Sequence, residues 1–118
     1  MLAWDESDVL ICLETLPDIE ADGIWYRYKV DKNGIRLDLT IYPYDADIYL
    51  ELYHKDIESS VFSMKLLECS GVRYVKERSF EYLEFAPAKC FGSRYDGESL
   101  IPYGVRVYAN PSIRIELY

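Results

Sequence analysis

The chain has few of the residues that build metal sites and disulfide frameworks, with one histidine and three cysteines among its 118 residues. Cys12, Cys69 and Cys90 are odd in number and far apart in the sequence. Zinc sites and small disulfide-bonded domains use cysteines that are closely spaced or even in number. We therefore expect free thiols, a reducing compartment, no metal and no cofactor.

Glycine and proline are scarce as well, at 6 and 5 residues. No apolar run approaches the roughly 18 residues that indicate a membrane span. With 50% hydrophobic residues, the chain has far more to bury than a linker or a disordered segment. Acidic residues follow Trp4 at once, whereas a secretory signal opens with basic residues. We expect a single cytoplasmic domain comprising residues 1–118, with no membrane partner.

Basic residues are missing from the first 22 positions, which carry seven acids: Asp5, Glu6, Asp8, Glu14, Asp18, Glu20 and Asp22. The formal net charge of −8 is therefore concentrated at the N-terminus, because the remaining 14 acids nearly balance 13 bases. Such a segment attracts a basic partner at long range, or serves as a solvated surface that keeps the protein in solution. The charge pattern leaves both interpretations open.

Residues 6–16 fit a short helix, because their apolar residues recur near helical spacing. Asp5 or Ser7 can accept hydrogen bonds from the first turn, and Pro17 ends the pattern. The alternative is a buried strand over Val9–Leu13, since five consecutive apolar residues do not distinguish the two structures. We favour the helix.

A hairpin is the best-defined local structure, because Asn33-Gly34 suits a two-residue turn and joins two segments of alternating polarity. One register satisfies hydrophobic and charge complementarity together. It pairs Val30 with Leu37, Tyr28 with Leu39, Tyr26 with Ile41, Lys29 with Asp38 and Asp31 with Arg36. A turn at residues 43–46 then leads into a third strand, with Ile48 opposite Ile41, Leu50 opposite Leu39 and Leu52 opposite Leu37.

The rest of the chain also reads mainly as strands. Residues 60–69 fit a strand buried on both faces better than a helix, and residues 72–75 form another strand. Residues 80–85 change phase between Tyr82 and Leu83, which predicts a bulge. Alternation resumes at Val105, Val107, Ile113, Ile115 and Leu117. We predict an α+β fold with six to eight mostly antiparallel strands, curved or barrel-like, and one short N-terminal helix.

Aromatic residues make up 15% of the chain, including 12 tyrosines. The predicted register places Trp25 opposite Tyr42, Thr40 opposite Tyr49 and Arg36 opposite Tyr53, all on the face turned away from the aliphatic side chains. Tryptophan, tyrosine and arginine are the types enriched at interface hot spots. The candidate binding residues are therefore Trp25, Arg27, Arg36, Tyr42, Tyr49 and Tyr53. The alternative is that a second layer buries this face and makes the rings part of the core.

Catalytic candidates are weak. Cys90 is the best nucleophile candidate, because Lys89 and Arg94 are nearby in the sequence. However, only three residues separate Cys90 from Arg94, which is too few for the phosphate loop of a tyrosine phosphatase. We therefore favour a thiol that is packed as a small apolar group. His54 falls in the phase of the core face and is expected to cap its end rather than to act in catalysis. The long connection at residues 87–102 is the kind that often carries function.

The sequence favours a non-enzymatic, acidic binding protein that acts through an aromatic-rich protein interface on another protein, with a basic partner as one option. Its size, acidity and aromatic surface suggest, by analogy, a small inhibitor or an immunity-type neutraliser. Nucleic acid is disfavoured because the chain lacks a basic groove. The alternative is a barrel-like module that binds, or acts on, a small ligand in a tyrosine-lined cavity.

Overall fold

Two antiparallel sheets and one helix make up the part of the chain that the computed structural model describes, residues 1–88 and 103–118. The first sheet has the strand order β1-β2-β3-β4-β5, and the second has the order β6-β7-β8-β9. The elements are α1 (Glu6–Leu13), β1 (Asp18–Ile19), β2 (Tyr26–Lys32), β3 (Ile35–Tyr42), β4 (Asp47–His54), β5 (Phe62–Leu66), β6 (Val72–Lys76), β7 (Glu81–Phe85), β8 (Val105–Tyr108) and β9 (Arg114–Leu117). The predicted α+β class, mostly antiparallel with one short N-terminal helix, is confirmed.

Two features of that prediction need correction. The described residues form nine strands rather than six to eight, and the strand absent from our prediction is the short β1, which pairs with β2 at the edge of the first sheet. Over residues 1–88 and 103–118, the strands stay in two separate sheets and do not close into a barrel. Side chains from both sheets and from α1 share one apolar core instead.

The register of β2, β3 and β4 is the predicted one, with every proposed aliphatic pair in place. Asn33 and Gly34 both have positive φ, 56° and 81°, which is the backbone that a tight hairpin turn of this type requires. Tyr28, Leu37, Leu39 and Leu50 are almost completely buried in the core, and Leu52 is partly buried. The local pattern therefore predicted both the pairing and the buried face.

The helix begins where it was predicted and ends three residues early. Asp5 accepts hydrogen bonds from the backbone N–H and the hydroxyl of Ser7, at 2.9 and 2.6 Å, and thereby caps the first turn. Glu14 adopts the left-handed conformation and donates its N–H to the carbonyl of Leu10, which ends the helix well before Pro17. The helix packs against β6 and β7.

Residues 60–69 contain a strand, as favoured, but β5 lies at the edge of its sheet and is mostly exposed rather than buried on both faces. The predicted bulge in β7 is wrong, because the pairing of β6 with β7 runs without interruption from Val72–Phe85 to Lys76–Glu81. Tyr82 and Leu83 are both buried because they point to opposite faces of the second sheet, and both of those faces are covered at this position.

A cluster of stacked side chains covers the outer face of the second sheet. The Arg106 guanidinium lies between the rings of Tyr82 and Tyr118, 4.9 and 4.6 Å from their centroids. Tyr108 packs 5.1 Å from Tyr82 and donates its hydroxyl to Glu116. Tyr82 and Tyr108 are only 2% and 4% exposed, so this cluster serves packing.

Gly104 leaves space for the ring of Tyr118, which a Cβ at that position would overlap. We expect Gly104→Ala to lower the free energy of unfolding by about 1–3 kcal/mol, because the displaced ring loses its hydrogen bond to the Phe85 carbonyl and its contact with Arg106. Denaturant unfolding measures this cost. In a Tyr118→Ala background the same substitution should cost less than about 0.5 kcal/mol, and equal costs in both backgrounds would contradict the explanation.

Candidate functional site

The outer face of the first sheet carries the residues that the sequence singled out. We call the set Trp25, Arg27, Arg36, Tyr42, Tyr49 and Tyr53 the aromatic face. Its tyrosines and arginines lie on β2, β3 and β4, and the register places Thr40 opposite Tyr49 and Arg36 opposite Tyr53, as predicted. Alternation of side chains along each strand turns these residues away from the core.

Trp25 does not pair with Tyr42, because the pairing of β2 with β3 begins at Tyr26 and Ile41. Trp25 immediately precedes β2, and its carbonyl accepts the N–H of Glu20 at 3.1 Å. The guanidinium of Arg27 lies over the indole ring, 4.7 Å from its centroid. Arg27 also contacts the Thr40 hydroxyl at 3.4 Å. These contacts keep Trp25 next to the other members of the face.

Tyr49, on β4, contacts both a ring and a cation of the first sheet. Its ring packs 5.0 Å from the ring of Tyr42, and the ammonium group of Lys65 lies 5.0 Å from its centroid. Lys65 reaches this position because β5 places it directly opposite Tyr49. Sequence reasoning missed Lys65, and the register of β5 was the signal that would have found it.

Arg36 connects the aromatic face to its neighbouring carboxylates. Its guanidinium lies 4.3 Å from the centroid of Tyr53 and donates to Asp38 at 3.0 Å. The predicted register of Asp31 with Arg36 is correct, yet in the described structure Arg36 pairs with Asp38 on its own strand. Tyr53 donates its hydroxyl to Glu51 at 2.9 Å, and this hydrogen bond raises the pKa of Tyr53.

All six residues of the aromatic face are partly exposed, neither buried nor fully solvated. The rings of the second sheet differ, because Tyr82 and Tyr108 are almost completely buried. Within the aromatic face, the rings of Tyr42 and Tyr49 pack against each other, and Arg36 and Tyr53 border a surface pocket beside the Asn33-Gly34 turn. Three of the rings in this set, those of Trp25, Tyr49 and Tyr53, each contact a cation of the same sheet.

The acidic N-terminal segment borders this face. Strand β1 places Asp18 directly opposite Arg27 along the edge of the sheet. Glu20 follows next to Trp25, and Asp22 lies in the turn that precedes it. At the other end of the segment, Glu6 and Asp8 occupy the first turn of α1. Negative charge therefore lies beside the aromatic face at the β1 edge.

The other candidate groups have structural environments that differ from those of reactive sites. His54 lies opposite Ile35, as predicted, and its Nδ1 accepts the backbone N–H of Asp56 at 3.1 Å. Cys12 and Cys69 are free and buried, and burial raises the pKa of Cys12 to about 12 and also raises the pKa of Cys69. Cys90 and most of the connection at residues 87–102 lie outside the described residues.

Residues 1–88 and 103–118 contain no group of three or more histidine, cysteine, aspartate or glutamate side chains placed to hold a metal ion. Within the same residues, no helix has the length and apolar character needed to cross a bilayer.

The fold is similar to that of a chain in a solved structure described as a contact-dependent growth inhibition toxin–immunity protein complex from Klebsiella pneumoniae 342. The match covers 97% of this chain and 92% of that chain, with a TM-score of 0.75 and 15% sequence identity. No protein-family model matches the sequence, and no curated protein matches it at a significant level. At 15% identity, the likeness establishes a shared fold over nearly the whole length of both chains.

Proposed function

We propose that this chain is an immunity-type protein that binds and neutralises a toxin through the aromatic face. The observation that carries the proposal is the likeness of its fold, over 97% of the chain, to a chain from a toxin–immunity complex. Since folds host many functions, the role of the face is argued from its own chemistry.

The charge distribution supports the inhibitor half of such a pair. The net charge is −8, and the seven acids of the first 22 residues have no basic residue among them. A surface of this sign accelerates encounter with a basic protein and repels nucleic acid. The buried thiols, with their raised pKa values, and His54, which accepts a hydrogen bond within its own loop, suit a structural role better than a catalytic one.

The contacts within the aromatic face support a role in tight binding. Trp25, Tyr49 and Tyr53 each pack against a cation of the same sheet. Side chains held in this way lose less conformational entropy on binding, so more of their contact energy appears as affinity. Because the rings are also partly exposed, they remain available to a partner.

The partner class is thus a protein toxin with a basic surface around its contact region. We place the encounter in the cytoplasm, because Cys12 and Cys69, the two cysteines in the described part of the chain, are free thiols. No cofactor or small ligand takes part in this mechanism.

Co-expression of this chain with a candidate toxin, sought among the genes that neighbour its own, tests the proposal. Wild-type protein should restore growth and bind the purified toxin, whereas Tyr49→Ala should weaken binding at least about 10-fold, as expected for a tyrosine that anchors an interface. The matched control is Tyr103→Ala, which removes a 52% exposed tyrosine near the second sheet and should leave binding unchanged. Absence of protection by the wild type would overturn the function, and equal binding by both variants would overturn the site.

A further inference from the structure

The edges of the two sheets meet at an apolar groove that the proposed function does not use. In the described part of the chain, β5 ends the first sheet and β9 ends the second. Side chains of both strands, together with Leu52 of β4, line one groove of about 270 Å³; the residues of β5 and β9 are Phe62, Met64, Ile115, Glu116 and Leu117. Phe62 is 36% exposed and Leu117 is 53% exposed. Unpaired strand edges beside exposed apolar side chains are typical sites of protein association.

The opposite edges of the sheets are less suited to association. Strand β1 has only two residues, and both are exposed. Strand β6 is flanked by the N-terminal segment, where Ala3 forms a parallel bridge with Gly71 and α1 packs nearby. Only on the groove side do strands of four and five residues, one from each sheet, lie unpaired within the described structure.

We propose that this groove is the interface of a two-fold dimer, in which β5 pairs with β5 and β9 pairs with β9 of a second copy of this chain. Met64 and Ile115 line the same groove, so a single two-fold axis through the groove brings both pairs of strands together. Each sheet then continues into the second copy, and the exposed side chains of Phe62 and Leu117 become buried in a shared apolar core.

The second copy fits because both strands are self-complementary. Antiparallel pairing of β9 about Ile115 places Arg114 of each copy opposite Glu116 of the other, a pair of opposite charges formed twice by symmetry. Pairing of β5 about Met64 places Ser63 opposite Lys65 and Phe62 opposite Leu66, with no like charges opposed. The apolar side chains of both strands stay on the core side, because antiparallel partners share a face.

The dimer also extends the aromatic face. In the paired β5 strands, Lys65 of the second copy lies in the same row as Ser63 and Glu51, about 10 Å or two strand spacings from Glu51. That distance is within reach of a lysine and a glutamate side chain. The outer faces of the two copies then lie on the same side of one continuous sheet.

Cross-linking at the symmetry axis tests the register directly. In a Cys90→Ser background, Met64→Cys should form an intermolecular disulfide under mild oxidation, because residues directly opposite in an antiparallel pair have Cβ atoms about 5 Å apart. The matched control Ser63→Cys should form little, because each introduced thiol then lies opposite Lys65. Equal cross-linking of both variants, or none in Met64→Cys, would overturn the proposal.

Light scattering over about 1–100 µM protein tests the association itself, since dimerisation depends on concentration. We expect the wild type to double its mass over this range and Arg114→Glu to remain monomeric, because the new carboxylate faces Glu116. Arg78→Glu makes the same charge change in the turn between β6 and β7 and should still dimerise. The proposed dimer would be contradicted if the wild type stayed monomeric at every concentration, or if Arg114→Glu dimerised as the wild type does. Circular dichroism verifies that each variant is folded.

Discussion

Leu39→Ala is expected to lower the free energy of unfolding by about 2–5 kcal/mol, the cost of a cavity in a tightly packed core. Leu39 is 0% exposed and lies between Tyr28 on β2 and Leu50 on β4, which are themselves almost completely buried. Urea denaturation with an unchanged m-value measures the loss.

The matched control for this substitution is Lys29→Ala, on the neighbouring strand. Lys29 is exposed on the opposite face of the same sheet, so its truncation should change stability by less than about 0.5 kcal/mol. A loss below half a kilocalorie for Leu39→Ala, or a larger loss for Lys29→Ala, would mean that the two faces of the sheet are exchanged.

Trp25→Ala should increase the rate of dissociation from the toxin at least about 10-fold, because aromatic anchors of an interface act mainly on the lifetime of a complex. Arg27 stacks on this ring and contacts Thr40, so the substitution also frees a cation that the ring had held in place. Surface plasmon resonance separates the two rate constants. A slower association with an unchanged dissociation rate would show that Trp25 is not an anchor.

Replacing the acids around the start of α1 should have the converse effect. Asp5→Asn, Glu6→Gln and Asp8→Asn together should slow association at low salt by about 10-fold and leave dissociation nearly unchanged, since remote charges act on encounter. Asparagine still caps the helix at position 5, so the fold is preserved. The difference from wild type should shrink as salt is raised, and a salt-independent difference would contradict electrostatic steering.

The sequence was sufficient for the central hairpin because all of its determinants are local. The Asn33-Gly34 turn sets the register, and a shift by one residue would turn Leu37 and Leu39 to solvent, so only one pairing satisfies the pattern. The same reasoning extended the register to β4 and placed Tyr49 and Tyr53 on the outer face.

The local pattern failed at Tyr82 and Leu83, where both faces of a strand are covered. The adjacent apolar residues Tyr82 and Leu83 were interpreted as a bulge, yet the strand is regular and both of its faces are covered. The predicted register of Asp31 with Arg36 is correct, but the register does not determine the ion pair. The guanidinium of Arg36 pairs with Asp38 on its own strand, because a flexible side chain can reach several carboxylates near it.

The sequence by itself determined the α+β class, the pairing of β2, β3 and β4, and the concentration of negative charge at the N-terminus. The tertiary structure alone decided that the rings of the aromatic face stay partly exposed while Tyr82 and Tyr108 are buried, and that β1 brings Asp18 beside Arg27. Strand periodicity reports which side of a sheet a residue faces. Whether anything covers that side depends on contacts between segments far apart in the chain, which a local pattern does not encode.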